Sequence, residues 1–229
     1  MQPVYVSKSL SAASSNGVGS ISTAATSVVT LNTSSLGTGR RIVFYSTADA
    51  SSLRLTFVGY AEGSTSAASL REIVAGSTGN GIAATTTADF IAVSSVTFSS
   101  NLSIPVLLGT SSVGGTNWQP TNWWSNNKMD LSGTLHFVDS AGNTSSTTGI
   151  TARYDVTLDN TMANPPNPFH GVPHVFNSTS PVGTFASTTS WGAIAVDGNV
   201  TVPVAAWRVT ITSSSSGAGE VHATVMQSG

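Results

Sequence analysis

The sequence predicts an all-β protein, two β-sandwich-like domains preceded by an extended N-terminal arm. Apolar and polar residues alternate over several short segments, the period of a half-buried strand and not of a helix. Clusters of Ser, Thr, Gly and Asn, the residues of turns and loops, separate those segments. A chain of 229 residues with 39% hydrophobic content is long enough for one large core or two modest ones.

Residues 1–39 read as the arm. Val4-Tyr5-Val6 and Val28-Val29-Thr30-Leu31 flank a run from Ser9 to Thr26 made almost entirely of Ser, Ala, Gly, Thr and Asn. Such a run cannot bury enough area to fold alone. The two apolar pieces suit addition to a neighbouring sheet edge, which makes Val4, Tyr5, Val6, Val28, Val29 and Leu31 candidate interface residues.

A first sandwich-like domain is expected over residues 40–112. Leu53, Leu55 and Phe57 alternate with Arg54, Thr56 and Val58, and residues 89–99 and 104–109 supply further strands. Ser66 to Ala75 fits helical spacing through Leu70, Ile73 and Val74, with Gly76 as a stop; alternation fits nearly as well, and the β surroundings favour strand. Residues 76–88, with three glycines and three successive threonines, read as a loop.

Residues 113–130 form a Trp/Asn-rich connector in which Trp118, Trp123 and Trp124 stand among Asn117, Asn122, Asn126 and Asn127. Aromatic faces beside amides are what a sugar-binding platform uses, the rings stacking on sugar and the amides pairing with hydroxyls. Burial between domains or against another subunit is the competing and favoured reading.

The second sandwich-like domain, residues 131–229, holds the cleanest alternation: Ile150, Ala152, Tyr154, Val156 and Leu158 against Thr151, Arg153, Asp155, Thr157 and Asp159. Leu135 and Phe137 alternate with Thr134, His136 and Val138. Trp207, Val209 and Ile211, then Val221, Ala223 and Val225, read as a terminal hairpin across Ser213 to Gly219. Arg41-Ile-Val-Phe-Tyr-Ser and Arg208-Val-Thr-Ile-Thr-Ser echo one another, as a duplication would produce and as chance produces in so repetitive a composition. The long loop 160–190 contains five prolines and displays Phe169, Val172, Val175, Phe176 and Phe185, apolar residues that suit a subunit contact.

Chemistry is hard to find. Charged residues are 8% of the chain against about 25% in an ordinary domain. Ser (38) and Thr (31) supply nearly a third of it, so the solvated faces are hydroxyl faces. Eight scattered Lys and Arg and a net charge of -2 argue against direct nucleic-acid binding. No apolar run approaches the roughly 18 to 20 residues of a spanning helix, and the opening residues carry no secretory pattern. There is no cysteine, hence no disulfide and no thiolate chemistry. No Gly-x-Ser-x-Gly elbow, dinucleotide loop or Walker motif occurs. Asp155 and Asp159 lie about 13 Å apart on what reads as a solvated face, beyond the reach of paired-carboxylate hydrolysis. Gly171 and Pro173 break the helical meaning of the His170/His174 spacing, and Asp197-Gly198-Asn199 reads as a hairpin turn. His136 and His222 point outward from strands with no visible acid nearby. Five Asn-x-Ser/Thr sequons are close to the number that composition alone produces.

Three stretches are similar to one family: Arg40-Arg41-Ile-Val-Phe-Tyr-Ser, Thr85-Thr-Thr-Ala-Asp-Phe-Ile-Ala-Val-Ser-Ser-Val-Thr, and Asp197-Gly-Asn-Val-Thr-Val-Pro-Val-Ala-Ala-Trp-Arg-Val-Thr-Ile-Thr. Together they resemble small β-rich structural proteins of tailed bacteriophages that decorate the head, collar or tail of the virion. The resemblance covers residues 40–112 and 130–227 in style, without an invariant motif, and leaves the arm and the connector outside. It implies a non-enzymatic virion component without cofactor or metal, assembled in the host cytoplasm, whose partners are copies of itself and other virion proteins. A surface with few charges and exposed β edges suits the same class. A carbohydrate-binding or adhesion module meeting a host-surface glycan through the tryptophans is the alternative.

Overall fold

Strict alternation makes a strand two-sided, and a two-sided strand needs a second sheet against its apolar side. The computed structural model meets that need twice. It describes residues 3–21, 28–61, 70–78, 83–101, 103–121, 130–139, 150–157, 176–177, 189–190, 196–200, 205–214 and 219–228. Every regular element among them is a β-strand.

In chain order these are β1 (Val4–Ser9), β2 (Ser14–Ile21), β3 (Val28–Arg40), β4 (Ile42–Ser46), β5 (Arg54–Ala61) and β6 (Leu70–Ala75). Then come β7 (Ala84–Thr85), β8 (Phe90–Phe98), β9 (Val106–Thr110), β10 (Gly114–Gly115), β11 (Gln119–Pro120) and β12 (Asp130–Asp139). The last are β13 (Ile150–Thr157), β14 (Phe176–Asn177), β15 (Thr189–Ser190), β16 (Val196–Val200), β17 (Ala206–Ser214) and β18 (Gly219–Ser228). The stretch 66–75, open between helix and strand from its sequence, contributes β6 from Leu70 onward.

The first sandwich is built on residues between Ala13 and Ser111. Its sheets run β2-β9-β4-β7 and β3-β8-β5-β6, with the described pairings antiparallel. Ile42, Phe44 and Leu108 from one sheet meet Leu55, Phe57, Phe90, Val93, Val96 and Phe98 from the other in a single core. Each such side chain contributes about 1.5 to 3 kcal/mol of burial before ordering costs. A bulge at Val58/Gly59 sets the register of β5 on β8. A Cβ at Gly59 would stand 2.1 Å from the Ala92 carbonyl oxygen, so only glycine admits this approach.

The second sandwich takes Met1–Ala12 together with chain from Ser112 onward. Its sheets are β1-β18-β12-β16 and β10-β17-β13-β14, with β11 and β15 added to the second. Leu135, Phe137, Val221, Ala223 and Val225 face Ile150, Tyr154, Val156, Trp207, Val209 and Ile211. Tyr154 spans the core, packs edge-on to Trp207 at 6.0 Å, and donates its hydroxyl to the Thr134 carbonyl at 2.9 Å. A Cβ at Gly133 would lie 2.9 Å from that hydroxyl oxygen, which is the room the bridge needs.

Several expectations are corrected. Residues 1–39 are divided between the sandwiches: β1 joins β18, β2 joins β9 and β3 joins β8, all in their own chain. The terminal hairpin is absent, since β17 pairs with β13 in one sheet while β18 pairs with β1 and β12 in the other. Alternation is the same whether a strand folds back beside its predecessor or crosses to the opposite sheet. Asp197-Gly198-Asn199 is no turn but the middle of β16, opposite Thr134, Gly133 and Ser132. Residues 114–115 and 119–120 of the connector join the edge of β17.

Candidate functional site: the open edge of β1 and the face beside it

β1 pairs with β18 without a break, from Val4 opposite Val225 to Ser9 opposite Glu220. No described strand lies on its other side. Tyr5, Ser7 and Ser9 are exposed, whereas Lys8 is buried and Val6 packs on the core. Val4 shares the core-side parity of Val6 and Lys8 yet remains 40% exposed.

Tyr5, 57% exposed, is held at its tip. Its phenol donates to Nδ1 of His222, and Nε2–H of His222 donates to Glu220 Oε2 at 2.9 Å. In a neutral imidazole the carboxylate, which only accepts, takes the Nε2 proton, and Nδ1 is then the acceptor for the phenol. The two rings meet edge-on, 5.5 Å between centroids. Partial burial first, and the Glu220 carboxylate second, push the phenol above its ordinary range. Tyr5 therefore stays protonated at neutral pH, a hydrogen-bonding group and not a phenolate nucleophile. His136 stands directly opposite His222 on β12. Met226, 52% exposed, lies diagonally from Tyr5 on the same outer face. This corrects the expectation that His222 has no acid near it: Glu220 is two residues away on the same face of β18.

The carboxylate expected on a solvated face is also corrected. Asp155 is fully buried. It accepts from Arg153 Nε at 2.8 Å and from Thr210 Oγ1 at 2.6 Å, and Arg208 Nε lies 3.4 Å from its second oxygen. The Arg208 guanidinium in turn stacks on the Trp118 ring, 4.7 Å from its centroid. Gly115 makes the space, since a Cβ there would meet the guanidinium at 3.0 Å. Thr116 locks the segment down: its N–H donates to the Val209 carbonyl at 2.8 Å and its hydroxyl accepts from the Val209 N–H at 3.1 Å. These contacts fasten the connector to β17, and one face of the Trp118 ring is taken. Asp159 lies outside the described residues.

In the first sandwich the Thr85 to Phe90 stretch carries structure. Thr86 Oγ1 accepts from Ile42 N–H and donates to the Ala88 carbonyl, both at 2.9 Å. Glu72 accepts from Thr87 N–H at 2.7 Å, from the Thr87 hydroxyl at 2.8 Å and from Ala88 N–H at 2.8 Å. Arg41 Nε stands 3.8 Å from Asp89. Burial pushes the neighbouring Arg40 guanidinium below its ordinary range.

Among the other candidates, Leu31 packs half-buried against the first core, and Val28 and Val29 stand opposite Thr97 and Val96 in β3. Phe176 stands opposite Val156 in β14. Phe169, Val172, Val175, Phe185, Trp123, Trp124, His170 and His174 lie outside the described residues. Among the described residues, no group of three or more His, Asp or Glu is placed to hold a metal ion.

No protein-family model matches the chain, and no curated protein is similar to it. Among solved structures it is similar to PBSX exported protein XepA, at 11% identity and a TM-score of 0.27, over 98% of this chain and 86% of that one. It is also similar to the STIV MCP, at 8% identity and a TM-score of 0.20, over 98% of this chain and 96% of that one. Likenesses at those TM-scores carry no weight for function.

Proposed function

We propose that the chain is a non-enzymatic structural protein of a tailed-bacteriophage virion, a head-decoration, collar or tail-associated component acting through subunit contacts. The observation that carries this reading is the edge of β1, beside which no described strand lies, with Tyr5 exposed next to Met226 on its outer face and Val4 exposed on the other, on a protein in which only 8% of residues are charged. Long regular edges are normally shortened, charged, bulged or covered, and one left open is a template for association. The resemblance of the Arg40, Thr85 and Asp197 stretches to virion proteins points the same way. On this reading the partners are copies of the chain and other virion proteins, and the protein resides in the virion after assembly in the host cytoplasm. Neither nucleic acid nor membrane is contacted directly. The alternative, a glycan-binding module, is weakened at Trp118, whose ring is stacked by Arg208.

Purified particles decide between the two. The structural reading expects the chain in fixed stoichiometry and as ordered density on the particle surface. Its absence from particles, together with glycan binding by the isolated protein, would overturn it.

A further inference from the structure

We infer that the open edge of β1 pairs antiparallel with β1 of a second copy, about a two-fold axis through Tyr5, joining two four-stranded sheets into one. The inference rests on the assembly reading above and names the partner.

Parity restricts the register. Directly opposite residues in an antiparallel pair share a face, so outward Tyr5, Ser7 and Ser9 must meet outward residues, and core-side Val4, Val6 and Lys8 must meet core-side ones. A two-fold axis must therefore pass through a residue and not between two. An axis at Val6 would set Val4 opposite Lys8 of the partner subunit, and one at Ser7 would set Val6 opposite that lysine. The axis at Tyr5 sets Val4 opposite Val6 of the partner subunit and leaves Lys8 outside the apolar contact. It also covers the half-exposed Val4 with an apolar neighbour, so the core of the second sandwich runs on across the junction. On the outer face the two Tyr5 rings come together, each already oriented by His222 and each beside Met226.

The other edges of the described sheets differ from it: β16, the far edge of the same sheet, carries Asp197 within its five residues. β6 shows Ile73 on its outer face but sets exposed Arg71 beside it. β2 and β3 are interrupted by bulges or irregularities, and β7, β10, β11, β14 and β15 are two residues long. β1 is regular over six residues with its one charge turned inward. A contact of that size falls short of the about 1,200 Å² of a stable interface, so it is weak between free molecules and effective where many copies are held together.

The cysteine-free chain allows a clean test, because a two-fold axis at Tyr5 brings two Tyr5 Cα atoms within disulfide reach. Full-length Tyr5→Cys should oxidise to a covalent dimer at least about tenfold faster than Ile73→Cys, the raised effective concentration of a paired edge. Adding Val4→Lys should bring it down to the control. In the unmodified chain, amide-exchange protection within residues 4–7 should rise with protein concentration. Equal oxidation of Tyr5→Cys and Ile73→Cys, with protection independent of concentration, would overturn the inference. The two readings fail separately: a chain found in particles without this pairing loses only the two-fold contact, and a pairing chain absent from particles loses only the virion assignment.

Discussion

The two sandwiches dispose of their charged residues and their edges in different ways. The first turns Glu72 of edge strand β6 inward, exposes 8% of it, and uses its carboxylate to hold the Thr87 and Ala88 amides. On the outer face of the same strand it sets Arg71. The second buries Asp155 in mid-sheet beneath two arginines and leaves its edge strand β1 with only hydroxyl and aromatic groups facing out. A chain this poor in charge uses Glu72 and Asp155 for structure, and the outer face of β1 carries none of the charge that usually guards an edge.

The largest expected effect is at Asp155. Asp155→Ala leaves Arg208 buried without its carboxylate, a cost of about 3 to 5 kcal/mol. The urea transition of the second sandwich should shift to lower denaturant while that of the first holds its place; a common shift would mean that the two cores unfold as one. Next comes Glu72→Ala, which strips the Thr87 and Ala88 amides of their acceptor and should cost the first sandwich about 2 to 3 kcal/mol. Should the loss fall on the second sandwich instead, the contrast between the two is wrong.

Arg71→Val would make the edge of β6 resemble that of β1, and concentration-dependent association measured by sedimentation should increase with little change in thermal midpoint. A smaller effect belongs to Tyr5→Phe, which removes the phenol–imidazole bond at a half-exposed site and should cost about 0.5 to 1 kcal/mol. Exchange of the β1 amides is the readout, and unaltered exchange would show that the bond does not hold the strand.

The smallest effect is the titration of Tyr5 itself. Its folded pKa is raised, so the stabilisation is complete below the ordinary phenol value near 10 and is lost as pH rises through the folded value. Exposure of the ring screens the effect, and β1 should loosen only in strongly alkaline solution. Loosening that begins at neutral pH would assign it to another group.

Part of this contrast is legible in the sequence. Glu220 and His222 are two apart on an alternating strand, so their shared face can be read directly. Tyr5 cannot be added to them, because it meets His222 across 217 residues of chain. Arg41, Asp89, Arg208 and Asp155 stand in plain sight in the sequence, but no local pattern pairs them. A carboxylate opposite threonines on an alternating strand reads as solvated, and Asp155 is buried only because Arg153, Thr210 and Arg208 surround it.

By itself the sequence determined the all-β class, the apolar core residues of β5, β12, β13, β17 and β18 and the position of β8, since a period of two is a property of the local backbone. Tertiary structure alone decided which sheet each strand joins. It placed β18 away from β17, drew Asp197-Gly198-Asn199 into β16 and divided the N-terminal residues between two sandwiches. The physical reason is that alternation states which side of a strand is apolar and says nothing of what covers it. Neighbours are settled by which sheets close a common core, and an edge is left open where that closure ends.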